Sequence, residues 1–123
     1  MDTSEIKQMF CDITGVSSAE TRYDQLILNG ETLVLSRLTV AESDIGETGT
    51  LCCEFAAAAS AAYEYACIAA DTERPVMSEN GEVRIKRSFP ELVKDMEKLK
   101  DSAFGVLSAA GLTERGGFAF LAV

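Results

Sequence analysis

Residues 51–70 read LCCEFAAAASAAYEYACIAA, and this alanine-rich stretch decides the fold. Its apolar residues recur at helical spacing: Leu51, Cys52, Phe55, Ala56, Ala59, Ala62, Tyr63, Ala66, Cys67 and Ala70. Alanine also lines most of the remaining surface, and a helix that is apolar nearly all round is usually buried by several neighbours. The stretch therefore predicts a central helix over about 51–71, against which other helices pack closely.

A membrane span is the alternative interpretation of this stretch, because about twenty residues are long enough to cross a bilayer. Glu54 and Glu64 oppose it, since an acid at the centre of a bilayer costs about 2.5–3.5 kcal/mol. A secretory signal is not expected either, because Asp2 and Glu5 stand where a basic region would be. We therefore predict a protein that does not enter the membrane.

Two helices are predicted before the central one. Asp2 caps the first, over 3–14, with Glu5 as the reciprocal partner in a capping box and Gly15 after its end. Ser17 or Ser18 caps the second, over about 19–40. Gly30 lies on the apolar face of this second helix and marks either a close helix crossing or a bend.

A polar loop, residues 41–49, is predicted between the second helix and the central one, which Thr48 or Thr50 then caps.

A β-hairpin is predicted at 76–87, after the central helix. Asn80-Gly81 favours a type I′ turn, and Val83 and Ile85 alternate with charged residues at a period of two. Ser88, Pro90 and Glu91 then start a fourth helix of about 21 residues that Gly111 ends. The tail, 117–123, alternates phenylalanine with small residues, as a short strand or an extended arm does. Together these elements predict one mainly α, four-helix bundle-like domain over 1–123.

The charge balance argues against nucleic-acid binding. The chain of 123 residues carries a net charge of −9, whereas phosphate contacts need lysine and arginine. The charge is also uneven: residues 1–73 hold 3 basic and 13 acidic side chains, and residues 74–123 hold 8 basic and 7 acidic ones. Such a polarity suits head-to-tail contact between copies, although a chance bias on a solvated surface gives the same pattern.

The sequence contains few candidates for catalysis. Histidine, the commonest general base, is absent, and no nucleophile elbow or phosphate-binding loop occurs. Four cysteines form no C-x-x-C pair and are interpreted as small hydrophobic residues: Cys11, Cys52, Cys53 and Cys67. We therefore predict no catalytic residue, no cofactor and no metal site.

Two groups of residues are candidates for protein contact. Arg84, Lys86 and Arg87 form a basic strand, which either contacts an acidic neighbour or is the charged solvent face of an edge strand. Phe118 and Phe120 in the tail need a surface that buries them. An isolated hairpin is only marginally stable in water, so the hairpin is also expected to pack against the helices or against another subunit.

The order of elements resembles that of the small head–tail connector (head-completion or adaptor) proteins of long-tailed phages and prophages. The likeness is carried by SENGEVRI at 78–85, by the long capped helix after it and by Phe118-Ala-Phe120 in the tail. Gly81-Glu82-Val83 is similar to a glycine–acid pattern common in that family. Arg84, Lys86 and Arg87 depart from it, since small polar residues are common there.

The resemblance implies a ring that joins the capsid to the tail after DNA packaging. Its partners would be further copies of the chain, the portal protein, and tail or adaptor proteins. The location would be the bacterial cytoplasm during assembly and the virion afterwards. The alternative is a small helical binding or regulatory module, for which the hairpin at 76–87 would be dispensable.

Overall fold

The computed structural model of the protein describes residues 1–72 and 89–113. Within these ranges there are four helices: α1 (Thr3–Thr14), α2 (Asp24–Arg37), α3 (Gly46–Thr72) and α4 (Phe89–Ala109). A short 3-10 helix, Glu42–Asp44, precedes α3. The predicted mainly α class is confirmed.

The predicted β elements are not seen in the described part of the chain. The hairpin at 76–87 and the arm at 117–123 lie outside it. Residues 1–72 and 89–113 contain no strand, and their one β-type pairing is an isolated antiparallel bridge between Leu38 and Thr113.

The ends of α1 are those predicted, although its capping partner is different. Asp2 accepts a hydrogen bond from the backbone N–H of Ser4 at 2.9 Å, and Gly15 ends the helix with a φ of 80°. The backbone N–H of Asp2 donates to Glu54 of α3 at 2.6 Å. The predicted reciprocal partner Glu5 is therefore wrong, because a buried carboxylate from another helix occupies that role.

The second helix begins five residues later than predicted, at Asp24. The Ser17 hydroxyl accepts from the N–H of Ala19, and the Glu20 carboxylate accepts from the N–H groups of Thr21 and Arg22. These local bonds hold a turn, since side chains of this kind compete with the helix for backbone groups. The predicted serine cap is wrong, and α2 starts after Tyr23 with no side-chain cap.

The central helix begins five residues earlier than predicted, at Gly46. Residues predicted to be loop form the 3-10 helix and the first turn of α3. The Thr50 hydroxyl donates to the carbonyl of Gly46 at 2.7 Å, so Thr50 lies inside the helix and does not cap it.

The end of α4 is tied to the end of α2. Gly111, with a φ of 78°, lets the N–H of Leu112 reach the carbonyl of Leu107 at 3.0 Å, which is a Schellman arrangement. The carbonyl of Leu112 then accepts from the backbone N–H of Thr39 at 2.9 Å. The described chain therefore leaves α4 beside the end of α2.

All three other helices pack against α3. α1 runs parallel to it, since Asp2 meets Glu54 and the Phe10 ring lies against that of Tyr65. α2 and α4 run antiparallel to it. Seven alanines of α3 are fully buried: Ala56, Ala57, Ala58, Ala59, Ala61, Ala62 and Ala66. The predicted central alanine-rich helix is confirmed.

Gly30 is the closest crossing point of α2 and α3. A Cβ atom built on Gly30 would lie 2.3 Å from the carbonyl oxygen of Ala57, which is closer than real Cβ atoms approach. The helix has no break there, so the glycine marks a close crossing and not a bend.

In the described ranges, no helix combines the length and the apolar character that crossing a bilayer requires.

Candidate protein-contact surfaces

The contact residues predicted from the sequence cannot be placed. Arg84, Lys86, Arg87, Phe118 and Phe120 all lie outside the described residues. The described surface instead shows two exposed apolar areas that the sequence analysis did not single out.

The first area is the outward face of α2. Leu28 and Leu35 are 44% and 39% exposed, and they lie about 160° and 140° around the helix from Gly30, which contacts α3. Four exposed uncharged residues lie beside them. We call this set the α2 face: Gln25, Leu28, Asn29, Thr32, Leu35 and Ser36.

The acidic residues of α2 lie along the edge of this face that borders α1. Asp24 lies 3.0 Å from the Lys7 ammonium, and Glu31 accepts a hydrogen bond from the Thr3 hydroxyl at 2.9 Å. These two acids are seven residues apart, so they share one side of the helix. Each acid is also one turn from a leucine of the α2 face, so carboxylates border this face on its α1 side.

Arginines stand at both ends of the α2 face. The Arg37 guanidinium lies 4.9 Å from the centre of the Phe104 ring of α4. The Arg22 guanidinium lies 5.0 Å from the Tyr23 ring and 3.5 Å from the Glu20 carboxylate. Both arginines are exposed. Stacking on an aromatic ring holds a guanidinium in place while leaving its edge open to a carboxylate.

The second area is formed by α3 and α4. Leu51, Phe55 and Val106 are 51%, 36% and 52% exposed. α4 runs antiparallel to α3: Lys100 lies over the Tyr63 ring, and Leu112 lies beside Gly49 near the start of α3. Counting along both helices from these two contacts places Val106 level with Phe55. We call this set the α3–α4 face: Leu51, Phe55, Ser102, Gly105, Val106 and Ala109.

The two faces lie on opposite sides of the bundle. Phe55 is about 160° around α3 from Ala57, the residue that meets α2. Val106 is likewise about 160° around α4 from Phe104, which receives Arg37 of α2. The α3–α4 face therefore points away from α2, and the α2 face points the other way.

Acidic side chains border the α3–α4 face. Glu47 is exposed one turn before Leu51 on the same side of α3. Glu5 is exposed on α1, about 160° around that helix from Thr3, which bonds to α2. Carboxylates therefore border both faces.

A buried acidic group lies at the start of α1. Glu54 is 3% exposed and accepts from the backbone of Asp2, while the amine of Met1 bonds to Glu42. The hydrogen bond to Glu42 raises the pKa of this amine, and the charges of Glu54 and Glu31 add to the effect. The arrangement fixes the beginning of α1 on α3.

A cleft of about 260 Å³ opens where α1 ends. It is lined in part by Ser17, Tyr23 and Tyr65, and its charged side chains Glu20 and Arg22 pair with each other. Phe10, Tyr23 and Tyr65 pack edge to face beneath it, with ring centres 5.0–6.1 Å apart. The floor of the cleft is therefore an aromatic part of the core.

The four cysteines are free thiols. Cys11 and Cys53 are buried, and burial raises the pKa of Cys53. Cys67 is half-buried beside Tyr63, and their hydrogen bond raises the pKa of the tyrosine. Among the described side chains, no group of three or more Cys, Asp or Glu residues is placed to hold a metal ion.

No family model matches the chain, and no significant match was found among curated proteins or solved structures.

Sequence reasoning missed both faces for identifiable reasons. Leu51 and Phe55 were assigned to the buried side of the central helix, and the structure shows them exposed. Leu28 and Leu35 fall off the predicted apolar stripe of α2. Two leucines seven residues apart, both outside that stripe, were the signal that could have identified the α2 face.

Proposed function

We propose that the protein is a structural assembly protein of the phage or prophage head–tail connector type, which forms a ring between portal and tail. The observation that carries the proposal is the pair of exposed apolar faces on opposite sides of one helical body. No catalytic role and no cofactor are assigned to it.

Opposite faces favour a ring because of symmetry. A two-fold dimer uses the same surface patch on both copies, whereas a contact between two different patches repeats from copy to copy and closes when the rotation allows. The α2 face and the α3–α4 face are different patches, and each is centred on exposed apolar side chains.

The places where the chain leaves the bundle support contact with two different partners. α3 ends and α4 begins at one end of the bundle. Leu112 bonds to Thr39 at the opposite end. In the proposed role, Arg84, Lys86 and Arg87, which follow α3 in the sequence, and Phe118 and Phe120, which follow Thr113, contact portal and tail proteins or a neighbouring copy.

This role places the protein in the bacterial cytoplasm during assembly and in the virion afterwards, with no specific binding to nucleic acid and no membrane contact.

The experiment is electron microscopy of the purified chain mixed with the portal protein of the same phage or prophage, which the proposed role requires. A ring of this chain on the portal vertex is expected, and a variant with residues 76–87 replaced by a short linker should lose it. If no chain binds the portal, or if the linker variant binds a different partner unchanged, the connector role is wrong. The second of these results would favour the small binding module.

A further inference from the structure

We draw no further inference here: the strongest candidate, the exposed apolar face of α2 around Leu28 and Leu35, is bordered by carboxylates in the same way as the opposite α3–α4 face, and nothing in the described part of the chain shows what covers it.

Discussion

Replacing Gly30 with alanine adds one methyl group at the point where α2 crosses α3. The new Cβ would lie 2.3 Å from the carbonyl oxygen of Ala57 and 3.2 Å from its carbonyl carbon. Both obstacles are backbone atoms of a helix whose neighbouring alanines are fully buried. Neither can rotate away as a side chain would, so the two helices must separate.

The size of the effect follows from two opposing terms. Alanine in place of glycine favours the helix by about 1 kcal/mol. Restoring a C···O distance of about 3.3 Å requires a separation of about 1 Å, and a gap of that size loses a quarter to a half of the dispersion energy of the contacts it opens. Overpacking costs about 1–3 kcal/mol or more, and Ile27 and Val34 would lose contacts as well. We expect a net loss of about 2 kcal/mol, which lowers Tm by about 8 °C.

Urea unfolding followed by far-UV circular dichroism measures this loss. The matched control is Gly105→Ala, the same substitution inside α4 at a position where nothing lies within 4 Å of the added carbon. The control should gain about 0.5–1 kcal/mol. A Gly30→Ala protein as stable as the Gly105→Ala protein would refute the close crossing of α2 and α3.

Three further outcomes follow from the buried groups. Glu54→Ala removes the acceptor of the Asp2 N–H, so the free energy of unfolding should fall by about 1–3 kcal/mol; unchanged hydrogen exchange in α1 would contradict this. The pKa of the Met1 amine is raised from 8.0 by Glu42, and that of Cys53 is raised from 9.0 by burial. The folded protein therefore holds both protons more tightly. The contribution of these two groups to the free energy of unfolding is fully present below pH 8 and is lost as the pH rises above it. Greater stability at pH 10 than at pH 7 would contradict the sign. In the native state an alkylating reagent should modify the half-buried Cys67 before Cys53, and mass spectrometry of the labelled peptides would show the reverse order if this is wrong.

The parts of the fold that the sequence predicts correctly depend on local signals. Asp2 and Gly15 act on backbone groups within a few residues, and both ends of α1 lie where they indicate. The end of α4 follows from Gly111 in the same way. Local chemistry also explains one error: Ser17 and Glu20 satisfy nearby backbone groups in a turn, which a helical pattern of apolar residues does not reveal.

The features that the sequence does not predict depend on which side of each helix faces a neighbouring helix. α3 is apolar nearly all round, so periodicity cannot say which sides its three neighbours cover. Leu51 and Phe55 satisfy the helical spacing and are nevertheless exposed, because α1 and α4 leave that side of α3 open near its start. The hydrogen-bond partner of the Asp2 N–H could not be predicted either, because Glu54 is 52 residues away along the chain.

The alanine core and the exposed leucines have a common cause. Gly30 against Ala57 brings α2 so close to α3 that little space is left between them, and Ile27 and Val34 fill it. Leu28 and Leu35 then have no place inside the bundle, although leucine is a residue that burial stabilises by about 1.5–3 kcal/mol. Such side chains on an acidic surface are tolerated because charge opposes random association. No described residue buries them, and the proposed assembly role would bury them against a neighbouring chain.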